Sequence, residues 1–385
     1  MATEPTPDPP ALRHGRRERA FAAMEAHDLD VLVLGRVANI RYVSGVPILW
    51  NAGTRPFGPG CVAVRATREI HLLSTWDEGV PEEIPHDHLY GITWNPMNMV
   101  AMLAGIGAEV DPARVGTDAI SPLFAQLLPT AFPNAAIVDA GPALRAARRL
   151  KTIEEVDAIR AAVAVADGAL AAAVAQLRPG ISERALTGAF MDAMASRGVT
   201  TPATQDVVHI TSVHAARAAD GGAQVRSGDL VAFDAGVVAD GYVGEVGRTW
   251  LVGGDGGGHA GSAQVGDLYR RWDALWERLL DACQPGAAAS GLIDAYGAAG
   301  EPVPVLPVGR GLGLGFDDPV IVRDLPATAA AERLDPGVVL VVTGCVFDDT
   351  AGAVIAHQPV LITDRGPEVL SSSPFWTPEQ AGAHA

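Results

Sequence analysis

The feature that most constrains this chain is a pair of apolar segments hinged at Asp240-Gly241. Residues 230–238 read LVAFDAGVV and residues 242–252 read YVGEVGRTWLV. Asp-Gly is the turn pair of a two-residue hairpin, whose central residues need positive φ. With that loop, Ala239 faces Tyr242, Gly236 faces Glu245 and Asp234 faces Gly247. The two-residue period of a strand then puts Asp234 and Glu245 on one face. They are offset diagonally, with Cα atoms roughly 7–8 Å apart, within reach of a shared ligand.

Two carboxylates on one face of apolar strands need a reason. Each raises the other's pKa, and burying both costs several kcal/mol unless a cation lies between them. One reading is a solvated face with both acids in water. The neighbours Val231, Phe233, Val237 and Trp250 have the character of core residues and favour the other reading, a cation site. The cation is either a metal or a basic side chain.

Around this hairpin the chain divides in two. Residues 1–12 are Pro-rich and polar and predict a loose tail. From Arg16 to Ala26 the apolar positions follow a helical period, and 29–34 (LDVLVL) predicts a buried strand. Cys61–Val64 and Ile70–Leu73 predict strands around a loop at Ala66-Thr67-Arg68. This alternation predicts an α/β N-terminal domain over 13–145. Past a basic stretch at 143–151, Thr152 and Glu155 have capping-box spacing and open an amphipathic helix. A second helix spans about 182–196 and a third about 265–283. A second strand pair, 338–347 and 354–363, completes an α+β C-terminal domain over 146–385. The glycine-rich stretch 253–261 predicts a mobile loop.

Composition removes several function classes. With 28 basic against 45 acidic residues the net charge is −17, so a phosphate backbone would be repelled and nucleic acid is excluded as a partner. The cysteines Cys61, Cys283 and Cys345 form no C-x-x-C, which excludes a cysteine zinc site and a disulfide framework. The Ala-rich stretch 161–177 is broken by Asp167 and Gly168 and predicts no membrane span. The first residues lack the apolar core of a signal peptide, and the expected location is the cytoplasm. There is no P-loop and no G-x-S-x-G, and Gly309–Gly315 lacks the G-x-G-x-x-G spacing.

Several motifs together resemble the creatinase / aminopeptidase P / methionine aminopeptidase superfamily, the pita-bread fold. They are Asn39-Ile40-Arg41-Tyr42-Val43-Ser44-Gly45, Lys151 with Glu155, Gly228-Asp229-Leu230-Val231, Asp234, Gly236, Gly241-Tyr242, Arg248-Thr249, Pro336-Gly337-Val338-Val339-Leu340 and Ile362-Thr363-Asp364-Arg365-Gly366. The resemblance implies a creatinase-like α/β N-terminal domain and a pita-bread C-terminal domain. It also implies a homodimer acting on a small molecule; in dimeric relatives the loop that here carries Trp50, Asn51 and Arg55 reaches the partner's site, while the residues themselves read as a plain surface loop.

The family's peptidases hold two divalent metals with Asp, Asp, His, Glu and Glu. The matching positions here are Asp234, Glu245, Arg310, Thr343 and His357. A substrate-binding His of the family matches Asp317, and its Glu neighbour matches Asp318. The family's His before the hairpin falls near Ala219, with His209 and His214 as nearby substitutes. A guanidinium cannot ligate a metal and a Thr hydroxyl is a poor ligand, so the paired-metal centre is not expected. Arg310 is expected to supply the missing cation for Asp234 and Glu245.

The resemblance therefore implies a metal-independent enzyme, with creatinase as the precedent for metal-free C–N hydrolysis. His357 or His214 is cast as acid/base, with Glu245 or Asp234 orienting it or activating water. Arg310 would hold a substrate carboxylate, and Asp317 and Asp318 a cationic nitrogen. Thr343 and His209 complete the substrate-binding set. Lyase or cyclase chemistry uses the same groups. The alternatives are a non-catalytic binding module and a mononuclear hydrolase or Xaa-Pro peptidase. In the mononuclear case Asp234, Glu245 and His357 would hold a single Fe, Mn or Zn.

Overall fold

A computed structural model describes residues 7–47, 59–73, 78–91, 95–118, 121–204, 207–213, 223–253, 261–324, 326 and 332–377. They fall into two compact units, Met1–Glu154 and Glu155–Ala385. The expected loop at 253–261, together with His214, Ala219, Trp50, Asn51 and Arg55, lies wholly or mostly outside the described residues.

The first unit runs α1 (Pro10–Ala26), β1 (Val31–Leu34), α2 (Val37–Ser44), β2 (Cys61–Val64), β3 (Ile70–Leu73), a 3₁₀ turn (His86–His88), β4 (Leu89–Tyr90), α3 (Pro96–Val110), β5 (Arg114–Thr117), α4 (Pro122–Ala131), β6 (Ala136–Asp139) and α5 (Gly141–Arg149). Its six-stranded sheet has the order β4-β3-β2-β1-β5-β6. Every residue of β1 is buried, as a continuous apolar run between neighbours on both sides requires. Leu103, Ile106, Phe124 and Phe132 from α3, α4 and the residue after them pack on Val31 and Val33 to form the core.

From residue 7 onward the N-terminal stretch differs from the expected loose tail. Pro10 opens α1, where its missing N–H costs nothing. Asp8 is buried, and its carboxylate accepts from Arg16 at 2.5 Å and from Arg41 at 2.6 Å. Pro-rich composition concealed this anchor because its cationic partners come from α1 and α2. The first unit also extends past residue 145, because α5 packs along α1.

The second unit runs α6 (Ile153–Val174, from the unit boundary), α7 (Glu183–Ala195), β7 (Val208–Ile210), β8 (Leu230–Ala239), β9 (Tyr242–Leu251), α8 (Gly261–Ala282), β10 (Ala287–Ala288), α9 (Gly291–Ala299), β11 (Gly309–Leu312), β12 (Phe316–Ile321), β13 (Arg333–Leu334), β14 (Val339–Asp348), β15 (Gly352–Thr363) and β16 (Gly366–Val369). Ser182 caps α7 by accepting from the Ala185 amide. The main sheet is ordered β12-β11-β14-β15-β9-β8-β7, with β16 paired to β15.

The β8–β9 hairpin has the register its turn dictates. Ala239 pairs with Tyr242, Gly236 with Glu245 and Asp234 with Gly247. Asp240 and Gly241 take φ of 45° and 81°, the signs this turn needs. α6 crosses β9 at Gly244, where a Cβ would lie 2.3 Å from the Ala162 carbonyl carbon. The helix lies that close to the sheet only because the position has no side chain.

Candidate active site

The site is a row of residues across four hydrogen-bonded strands. Asp234 on β8 pairs with Gly247 on β9, Gly247 with His357 on β15, and His357 with Thr343 on β14. Directly opposed residues share a face, so the four positions point the same way. Glu245 lies two residues from Gly247 on that face. Arg310 on β11 pairs with Val341, two residues from Thr343, and so joins the same face.

Gly247 makes the row workable. A Cβ there would sit 2.3 Å from His357 Cδ2 and 2.8 Å from the His357 amide nitrogen. Its hydrogen atom leaves room for the imidazole to lie between the strands' side chains. One ligand-capable atom from each of Asp234, Glu245 and His357 then falls within 4.8 Å of the others.

Glu245 is fully buried and forms an ion pair with Arg310, whose side chain keeps 23 % exposure. Thr343 Oγ1 is 2.9 Å from His357 Nδ1. That bond commits Nδ1 and leaves Nε2 as the nitrogen available to the carboxylates. Thr343 is itself fixed, since its amide donates to the Val308 carbonyl at 3.0 Å and its carbonyl accepts from Tyr296 Oη at 2.8 Å. Burial pushes the Asp234 carboxyl above its ordinary range. The neighbouring Glu245 carboxylate reinforces that shift, and Arg310 acts against it. Buried Asp234 Oδ1 and Glu245 Oε2 have no hydrogen-bond partner among the described residues. Two such buried oxygens call for a proton, a cation or a donor from a bound molecule.

The structure thus brings Asp234, Glu245, Arg310, Thr343 and His357 together. His209 on β7 pairs with Ala232, two residues before Asp234 on the neighbouring strand. Asp317 pairs with Gly311 rather than with Arg310, and Asp318 falls in the β-bulge between those pairings. Sequence reasoning missed the contribution of Gly247. Its signal was present in the hairpin register, but the β9–β15 pairing that gives it meaning is long-range. Arg248, one residue on, is a buried structural cation. It donates to the Ser373 carbonyl at 2.7 Å and to Gln358 Oε1 at 3.1 Å, and burial lowers its pKa to about 10.

A pair of metals does not fit this donor set. Position 310 carries its own positive charge, already paired with Glu245, and the position 343 hydroxyl is engaged by His357. The three remaining donors can accept at most one ion beside the guanidinium.

A creatinase-type first unit and a pita-bread second unit, with carboxylates and a histidine converging on one sheet face, define the creatinase/aminopeptidase P class. The chain belongs to metallopeptidase family M24, whose profile matches residues 157–364, and the creatinase/prolidase N-terminal domain matches residues 16–150. It is 26 % identical over 236 residues to an Xaa-Pro dipeptidase of Pyrococcus furiosus, covering 59 % of this chain and 64 % of that protein. The aligned stretch is thus less than two thirds of that relative's length. A dipeptidase structure from Pyrococcus horikoshii superposes with a TM-score of 0.75 at 18 % identity, covering 94 % of this chain and 98 % of that one. The Xaa-Pro dipeptidase of Bacillus anthracis superposes with a TM-score of 0.74 at 18 % identity, covering 94 % and 99 %. These superpositions speak to fold. Among the described residues, no helix is long and apolar enough to cross a membrane.

Proposed function

We propose that this protein is a hydrolase that cleaves a C–N bond in a small nitrogen-containing carboxylate, with Arg310 in place of the family's metal charge. The ion pair between Arg310 and fully buried Glu245 carries the reading. It puts a permanent positive charge, unable to ligate, inside the cluster. The exposed part of that guanidinium receives the substrate carboxylate, for which its planar donor fork is suited. Asp234 Oδ1 and Glu245 Oε2 accept N–H groups of the substrate nitrogen. His357, held by Thr343, takes a proton from the attacking water through Nε2. Oxygen bonds to carbon, the C–N bond breaks, and the proton goes to the departing nitrogen. Asp234, with its raised pKa, shares that proton with His357.

A second reading has one observation in its favour. Asp234, Glu245 and His357 form a two-carboxylate, one-histidine set of the kind that holds a single divalent ion. One experiment separates the two. Chelator-stripped protein and protein reloaded with Mn, Zn or Fe are assayed on creatine-like substrates and on Xaa-Pro dipeptides, with elemental analysis of both. Activity on the creatine-like class that survives stripping is expected. Activity that vanishes and returns with one ion per chain overturns the metal-independent reading in favour of the second. Absence of turnover on either class in both preparations overturns both and leaves a binding module on a peptidase fold.

A further inference from the structure

A second cluster lies in the first unit, apart from the chemistry above. Glu69 precedes β3, His71 lies within it, and His88 ends the 3₁₀ turn that leads into β4. Leu72 pairs in parallel with Leu89, which brings the residues just before them, His71 and His88, side by side. Glu69 and His71 are two residues apart and share a face. One ligand-capable atom of each of the three lies within 4.8 Å of the others.

The rings are arranged so that the same nitrogen is spared on each. His88 Nδ1 is 3.3 Å from the Ile70 carbonyl oxygen, which can only accept. The proton is therefore on Nδ1, and Nε2 carries the lone pair. His71 Nδ1 is 3.2 Å from Tyr90 Oη, a hydroxyl that can accept from Nδ1–H in the tautomer that leaves Nε2 open. The imidazoles stack with centroids 4.2 Å apart at 22°. Glu69 is exposed, and one of its carboxylate oxygens accepts from Thr67 Oγ1 at 2.6 Å. Histidine metal ligands are oriented in this way, with the second ring N–H donated to a carbonyl or other acceptor and the carboxylate held by its own hydrogen bond.

We infer that Glu69, His71 and His88 form a binding site for one divalent transition-metal ion, with Zn2+ as the fitting probe. Two imidazoles and a carboxylate suit Zn2+, with a water in the fourth position. Donors on a tetrahedral zinc are about 3.3 Å apart, so the site closes slightly on the ion. Exposed Glu69 is the arm free to move, and half-buried His88 leaves an entry path. The surroundings favour a cation. The charges of Glu109, Asp87 and Glu69 all act on Tyr90.

The test is calorimetric titration of Zn2+ into the chelator-stripped full chain, with Co2+ absorption spectra as a direct report on coordination. His357→Gln disables the other candidate cluster and is expected to keep binding at the first-unit site. His88→Gln and Glu69→Gln are expected to weaken that binding at least tenfold. Tyr90→Phe removes only the hydroxyl that orients His71 and is expected to weaken it about tenfold. Circular dichroism checks folding, and the variant at exposed Glu69 decides the matter if His88→Gln does not fold. Wild-type protein that binds no Zn2+, or binding lost in His357→Gln and intact in Glu69→Gln, overturns the inference.

Discussion

Arg310 on β11 and Glu245 on β9 are ion-paired, although two strands, β14 and β15, lie between theirs in the sheet order. Glu245 has no exposed surface, so the guanidinium is what makes its charge tolerable there. Removing one partner of a buried pair strands the other. Arg310→Met is expected to destabilise the protein by about 3 kcal/mol. Adding Glu245→Gln should recover most of that loss. Denaturant unfolding of the two single variants and the double variant measures the coupling. Additive effects would mean the pair is not the structural core of the site.

Gly247→Ala should be one of the most damaging small substitutions in the second unit. Its methyl carbon would meet His357 at 2.3 Å, and the nearest alternative contact is the His357 backbone. Overpacking of this kind costs about 1–3 kcal/mol. We expect a loss at the upper end of that range, together with a shift of the His357 ring resonances. An alanine variant with wild-type stability and an unmoved imidazole would refute the close approach.

Thr343→Val keeps the shape of the side chain and removes the oxygen that holds His357 Nδ1. Stability should fall by about 1 kcal/mol, the ordinary worth of a hydrogen bond. The more telling effect is on the proton. The Nδ1–H and Nε2–H tautomers of His357, read by nitrogen NMR, should become mixed, and turnover should fall by about tenfold or more with little change in KM. A fall in turnover without a tautomer change would place the role of Thr343 elsewhere.

Burial raises the Asp234 pKa above its ordinary 3.8. Between the unfolded and folded values the native state binds more protons than the unfolded state, so this group's contribution to stability declines as pH rises through that window. Asp234→Asn removes the penalty. The Tm difference, variant minus wild type, should therefore grow more positive from about pH 4 to about pH 7. A difference that stays flat across that range would show that Asp234 is not the group concerned.

The two-residue turn made the β8–β9 register legible in full, because Asp240-Gly241 fixes every later pair by arithmetic. The strands at 61–64 and 70–73 and the Ser182-capped helix were readable for similar local reasons. The positions that depend on distant pairing were not. His357 meets Gly247 through a contact between strands more than a hundred residues apart, and no periodicity encodes it. The Asp8 anchor was hidden in the same way, in a stretch whose composition resembles a tail. His71 and His88 passed unnoticed as isolated residues. Only the parallel β3–β4 pairing, across the loop that separates them, makes a cluster of them.

The groups at the centre of the second unit are carried on consecutive rungs of a sheet, not on mobile loops. Their separations are set by the strand pairing, and no member can slide without unpicking its neighbours' ladder. Exchanging the side chain on a rung would change the chemistry of the face while leaving the rung where it is. Here a cation occupies one such rung and a hydroxyl another, and a change of reaction would be written in those letters rather than in the scaffold's shape.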